Sequence, residues 1–372
     1  MLAIIEYIKE HGLNKAVSEF KLVVKEYEHK ILLKYNQIES NMRLEEVQDC
    51  RGIILEKNTW NVMSLAFRKF FNSNETHAAK INWDTAHILN KEDGTMIQVY
   101  WDWHKELWFA ATTGTANGEG EVNNKYGTTF NQLFWDTVNN KYGFNPCLLD
   151  KDHIYVFELT TPYNIVVTPH GESSAKLLAV RNRLTLKEIP YNELPMVSES
   201  LGIPLVKSYD LNVDNADKLA ETLIGMPWSE EGYVVRDTND NRVKIKNPAY
   251  LAVHHLKGKT AEHNIMVIVK TNEIEEFVST FPDRKDELLR LKDGYDELVF
   301  KLESIWGELD KIRPSDASSD ERKRFAMSLM ETTAKHDLRM FNGLYFGLVD
   351  GKVESIKDYM LNYDDKSLYK ML

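Results

Sequence analysis

Cysteine is almost missing from this chain: Cys50 and Cys147 are the only two in 372 residues. They form no CxxC pair and no disulfide framework, which excludes a disulfide-stapled scaffold and fits a reducing cytosol. No apolar run approaches the roughly 20 residues of a membrane-spanning helix. The N-terminal MLAIIEYIKEHG is broken by Glu6 and Lys9 at helical spacing. It predicts a short helix ended by Gly12 rather than a signal peptide. A GxxxxGK phosphate loop is absent, as are internal repeats and low-complexity tracts. Excess positive charge is missing too: 46 Lys and Arg stand against 57 Asp and Glu, a net charge of −11. That excludes a surface that grips polyanions over its whole extent, though not a local basic groove whose affinity falls with salt. The stretch 255–372, with 19 basic and 23 acidic residues, is no basic tail either.

What is present is an ordinary globular composition, 43% hydrophobic and 28% charged, long enough for two or three domains. KLVVKEYEHKILLKY (21–35) predicts two strands around a turn, and DCRGIILE with WNVMSLAF predicts another pair. Strand signals continue through TMIQVYWDWHKELWFAATTGT, HIYVFELTTPYNIVV, AKLLAVRN, EGYVVRD and NRVKIKN. Helical stretches interrupt them at NNKYGTTFNQLFWDTVNN and around 214–225. Beyond 270 the apolar residues recur at i, i+3, i+4 and i+7, and Ser318 with Glu321 predicts a capping box. The expected fold is α+β: an antiparallel-sheet domain over 1–254, followed by an all-helical domain over 255–372.

Four stretches carry candidate chemistry. In HILNKEDGT, Lys91 ends an apolar run and stands against Glu92, Asp93 and Gly94. A solvated turn explains that as readily as a nucleophile does. In NRVKIKN a strand period of two puts Arg242, Lys244 and Lys246 on one face, with Val243 and Ile245 on the other. Such a row of cations suits a charged edge strand or a polyphosphate. In HIYVFELTT, Glu158 interrupts a strand that is apolar on both faces. A carboxylate there needs an arginine, a ribose hydroxyl or a metal as partner. In EEGYVV, Glu231 leads a fourth strand.

In this order, KEDG, FEL, EEGYVV and VKIKN resemble the nucleotidyltransferase motifs of polynucleotide ligases and mRNA capping enzymes, the covalent nucleotidyltransferases. DCRGIILE followed by FRKFFN, together with KIKNPAY, is similar to the T-even phage RNA ligase 1 family. The resemblance covers nearly all of 1–255. DNA ligases and capping enzymes continue after the last motif into a small β-barrel, where this chain turns helical.

The resemblance implies an ATP-dependent RNA ligase that uses Mg²⁺ or Mn²⁺. Lys91 would attack the α-phosphate of ATP and carry AMP as a phosphoramidate, assisted by Lys244 and Lys246. Lys244, Lys246 and Arg51, folded against Lys91, would disfavour its charged form. Arg51 and Lys69 would contact phosphates with Phe71 packed beside them. Glu158 would bind the ribose, and Glu231, with Glu158 as a second candidate, would hold the metal. Asp93, Gly94 and Tyr250 complete the nucleotide-binding set, Gly94 by letting the backbone turn close to the nucleotide. The substrate would be RNA with a 5′-phosphate and a 3′-hydroxyl, a nicked tRNA in the family. The expected setting is a monomer in the cytoplasm of a phage-infected host, with no membrane partner. The family places a lysine where this chain has Thr113, in FAATTGT. Two other readings share the motifs: a non-catalytic assembly or tail-fibre attachment factor on a ligase fold, and a DNA ligase or capping guanylyltransferase.

Overall fold

The computed structural model describes residues 2–122, 126–256, 261–280, 282–314 and 319–372, and Ser318 lies outside them. The chain divides into two compact units, Met1–His255 and Leu256–Leu372. No helix among the described residues is long and apolar enough to cross a membrane.

The first unit opens with helices α1 (Ala3–His11) and α2 (Leu13–Phe20), strands β1 (Leu22–Glu26) and β2 (Lys30–Tyr35), and helix α3 (Glu45–Asp49). Strands β3 (Arg51–Glu56), β4 (Val62–Ser64), β5 (Phe71–Asn72), β6 (His87–Asn90), β7 (Thr95–Asp102) and β8 (Leu107–Ala111) follow. Helix α4 (Phe130–Tyr142) leads to β9 (His153–Thr160) and β10 (Ser174–Asn182). Helix α5 (Leu194–Leu201), β11 (Ser208–Tyr209), α6 (Ala216–Glu221), β12 (Gly232–Arg236), β13 (Arg242–Lys246) and α7 (Pro248–Leu256) complete it.

These strands form three sheets, ordered β1-β2-β3-β4, β10-β9-β7-β8 and β11-β6-β12-β13-β5. Every pairing between these strands is antiparallel except β13 with β5. The two four-stranded sheets share a core of Leu32, Ile54, Tyr100, Ala111, Ile154 and Val156. A buried amide ties them together: Gln98 on β7 accepts from the Ser64 hydroxyl (2.7 Å) and the Ala66 N–H (3.0 Å), and donates to the Gly52 carbonyl (2.7 Å). β9 is buried on both faces, as its unbroken apolar run predicts, because α4 and α5 cover the side away from the first sheet. In the five-stranded sheet, β13 alternates from Val243 to Lys246. Val243 and Ile245 pack with Leu219 and Leu223 under α6, while Lys244 and Lys246 look the other way and are only partly buried.

The second unit is helical throughout its described residues. It comprises α8 (Ala261–Lys270), α9 (Ile274–Thr280), α10 (Lys285–Leu309), α11 (Ser319–Lys335), α12 (Asn342–Val349), α13 (Ile356–Asn362) and α14 (Asp365–Met371), with short 3₁₀ turns between some of them. Leu288, Leu291, Tyr295, Leu298, Leu302, Ile305 and Leu309 form the buried stripe of α10, at the three-and-four spacing of one helix face. Lys270 is buried in this core, where it pairs with Asp365 at 2.5 Å and donates to the carbonyls of Leu361 and Tyr363.

Candidate active site

β6 ends at Asn90, and the next residue keeps the ladder going: the Lys91 N–H donates to the Gly232 carbonyl at 2.9 Å. This pairing sets the Lys91 side chain beside the residue that precedes β12, and Lys91 Nζ lies 2.6 Å from Glu231 Oε1. Gly232 is obligatory at this crossing, with φ +133°. A Cβ there would sit 2.2 Å from the Ile245 carbonyl oxygen on β13. Lys246 is the register partner of Gly232, and Lys244 is the partner of both Val234 and Asn72. The strand ends thus bring Lys91, Glu231 and Lys246 to one locality. The charged contact of Lys91 is a carboxylate, where the sequence had suggested surrounding cations.

Glu158 stands on β9, opposite Met96 on β7 and Lys176 on β10. Its carboxyl makes no hydrogen bond among the described residues. Burial pushes it up to about 8, opposed by Lys91 and Arg51 and reinforced by Glu231 and Glu92. Those charges act on Glu158 because they converge on the same pocket. Arg51, the first residue of β3, has its guanidinium over the Phe70 ring at 4.9 Å and one buried terminal nitrogen without a partner. Burial lowers its pKa, against the pull of Tyr35 and Glu158. Gly52 beside it adopts φ +77°, and a Cβ there would meet the Thr113 Cα at 2.6 Å. Thr113 therefore packs its backbone against β3. Lys69 lies between the rings of Tyr35 and Phe71, 5.6 Å from each centroid.

Three residues expected at the nucleotide also have partners within the protein. Asp93 is buried and its carboxylate is fully engaged: Oδ2 accepts from the N–H groups of Val167 (3.0 Å) and Thr168 (2.5 Å), and Oδ1 from the Tyr250 hydroxyl (2.9 Å). The Asp93 carbonyl lies 2.7 Å from His170 Nε2. Asp93 and Tyr250 thus brace the lysine turn against the 161–173 loop and α7. Burial, with Glu231 and Asp93, pushes the Tyr250 hydroxyl far above its ordinary value. Gly94 is needed for a close approach to protein, since a Cβ would lie 2.5 Å from the Leu159 carbonyl oxygen on β9. Arg242 shares a face of β13 with Lys244 and Lys246 by strand period, but its charge is committed within the protein. It is buried, stacks on Phe67 at 4.2 Å and grips Glu188 through both guanidinium arms.

Two residues outside the motifs also meet the site. Lys176 Nζ donates to Glu92 Oε1 at 2.7 Å and faces the pocket next to Glu158. It is the one lysine in the apolar part of β10, a signal present in AKLLAVRN. His170 has no comparable sequence cue.

The sequence profile of the RNA ligase family of T4 type matches residues 49–250, more than half of the chain. The chain belongs to the T4 RNA ligase 1 family. Within and around that span, an RNA ligase of Rhodothermus phage RM378 is 29% identical, over 86% of this chain and 86% of its own length. A protein of Autographa californica nuclear polyhedrosis virus, described as a bifunctional polynucleotide kinase/RNA ligase, is 28% identical over 77% of this chain. The alignment spans 42% of that viral protein's length. Among solved structures, an archaeal ATP-dependent RNA ligase aligns over 89% of this chain and 79% of its own, with 13% identity and a TM-score of 0.47. All the residues that the family's motifs select here lie in the first unit.

Proposed function

We propose that the protein is an ATP-dependent RNA ligase that works through a lysyl-AMP intermediate. The observation that carries this reading is the Lys91–Glu231 contact of 2.6 Å, with Glu158 within electrostatic reach, in a chain of the RNA ligase family. Lys91 Nζ has to lose a proton before its lone pair can attack, and Glu231 is the carboxylate within hydrogen-bond reach. Attack on the α-phosphorus of ATP forms the N–P bond and expels pyrophosphate. AMP then passes to an RNA 5′-phosphate. A 3′-hydroxyl attacks that activated end, forms the phosphodiester and releases AMP. Arg51, with an unpartnered buried nitrogen, and Lys69, held between two rings, are placed to receive phosphate oxygens.

Glu231 disfavours the ionised form of Glu158, and a hard divalent cation would take the place of that proton between the two carboxyl groups. No cluster of three or more metal-binding side chains occurs among the described residues. Phosphate oxygens and water would complete the shell, as is usual for Mg²⁺. When bound, Mg²⁺ or Mn²⁺ shields phosphate charge and favours departure of pyrophosphate.

The residues for these steps all come from Met1–His255 of a single chain, which supports action as a monomer and leaves the helical unit for choosing the RNA. A nicked tRNA is the substrate we infer, by folded-RNA recognition through shape and a few placed contacts. The similarity to a phage RNA ligase supports a setting in the infected host's cytoplasm. The test is transfer of label from α-phosphate-labelled ATP to the protein, and from there to a 5′-phosphorylated oligoribonucleotide.

A further inference from the structure

Beside Lys69 and Phe71 lies a second cavity, about 290 Å³ in volume. Residues 67–71, His77 and the 239–242 turn contribute to its wall, with Arg181 and Glu188 behind them. Liquid water takes about 30 Å³ per molecule, so the space admits a phosphate group and several waters.

Its charges do not balance. Glu188 is gripped by Arg242, with Arg236 Nε at 3.4 Å and Arg181 Nε at 4.0 Å. Asp240 accepts from Arg236 at 2.9 Å, and Asp49 takes Arg68 at 2.5 Å. Glu45 lies 3.8 Å from Arg68 as well, so each of these guanidinium groups is matched, but on the wall itself Arg68, Lys69, Arg181 and Arg242 stand against Glu188 and Asp240. Lys69, also on the wall, makes no ion pair among the described residues and lies 5.6 Å from the rings of Tyr35 and Phe71. The field in the cavity is positive. On its wall, His77 Nε2 is buried without a hydrogen-bond partner among the described residues, and the ring is held edge-on to Phe71 at 5.9 Å. A buried polar nitrogen left open in a positive cavity is the arrangement an anionic oxygen satisfies. Arg242 also shares one face of β13 with Lys244 and Lys246, so a single strand runs from the Lys91 site to this cavity.

We propose that the cavity is a second phosphate subsite, in which His77 Nε2–H donates to a phosphate oxygen and Lys69 supplies the charge. It takes a terminal phosphate, that of the nucleotide or the 5′-phosphate of the RNA, and in naming these sources it rests on the ligase reading. His77→Phe keeps the ring against Phe71 and removes the nitrogen, while His77→Gln restores a donor. Two half-saturating concentrations are measured: ATP in self-adenylylation, and 5′-phosphorylated RNA in single-turnover transfer from preformed enzyme–AMP. His77→Phe should raise one of them about tenfold at an unchanged saturating rate, with His77→Gln recovering most of it. A rise for ATP alone assigns the nucleotide's terminal phosphate, and a rise for RNA alone assigns the 5′-phosphate. Unchanged values for both, in folded protein, overturn the proposal. Pyrophosphate titration of the full-length wild-type chain, followed on the His77 imidazole resonance, is the direct check. A saturable shift supports the subsite and an unmoved resonance sinks it. If the wild type takes no label from ATP the ligase reading fails, while this titration still decides the cavity.

Discussion

Replacing Glu158 by glutamine tests the electrostatics of the pocket without emptying it. In the folded chain burial carries the Glu158 carboxyl from its ordinary 4.5 to about 8, with Glu231 and Glu92 adding to the shift and Lys91 and Arg51 opposing it. Below about pH 4.5 both folded and unfolded chains hold the proton, and the site costs nothing. Between there and about pH 8 the folded chain keeps a proton that the unfolded chain has lost, so stability falls as pH rises. The interval corresponds to a ceiling of about 5 kcal/mol. Water entering the open side of the pocket, and relaxation of the neighbouring charges, reduce this to on the order of 2 kcal/mol. For a unit of this size that is roughly 4–8 °C in Tm. The assay is thermal unfolding of wild-type and Glu158→Gln protein from about pH 5 to pH 8, in chelator and without nucleotide. Other titrating groups cancel in the comparison. Wild type should lose those degrees relative to the variant as pH rises. Parallel curves, or a wild type that gains on the variant, would refute the reasoning.

The remaining expectations concern backbone fit, strand register, the Asp93 brace and the helical unit. Gly94→Ala should lower Tm and abolish labelling, because its Cβ would lie 2.5 Å from the Leu159 carbonyl oxygen, whereas Gly171→Ala meets nothing within 4 Å and should be silent in both assays. Lys246→Ala should stop self-adenylylation, while Ile245→Val, on the buried face, should cost about 1 kcal/mol and keep it; equal activities would mean the strand is read in the wrong register. Tyr250→Phe should destabilise by about 1–3 kcal/mol, since it strands Asp93 Oδ1 in a buried site, and denaturant unfolding measures it. A chain ending near residue 260 should still label itself and join simple single-stranded RNA. It should lose the preference for a cleaved tRNA, read as the ratio of sealing rates on the two substrates against full-length protein.

Much of this was legible in the sequence where local period and burial coincide. The alternation of NRVKIKN set Val243 and Ile245 inward, and the unbroken apolar run of HIYVF marked a strand covered on both sides. The helical spacing after 270 reads straight onto α10. What stayed hidden depends on contacts far apart in the chain. Asp93 meets Tyr250 across 157 positions, and Arg242 meets Glu188 across 54. No period announces either. Gly94 looked like a turn residue because its real constraint is a carbonyl on β9, 65 positions away and invisible to local pattern. Lys176 was visible as a charge in an apolar strand, but only the register opposite Glu158 gives it a place.

The central claim is that Lys91 becomes covalently bonded to AMP. The measurement is incubation of the full-length protein with α-phosphate-labelled ATP and Mg²⁺ or Mn²⁺, followed by a denaturing gel, beside Lys91→Ala. The account predicts label that survives denaturation on the wild type, none on Lys91→Ala, and release of the label when pyrophosphate is added. Label from GTP instead of ATP would contradict it in favour of a capping-type enzyme. Absence of label from any nucleotide would leave a ligase fold that binds without catalysing.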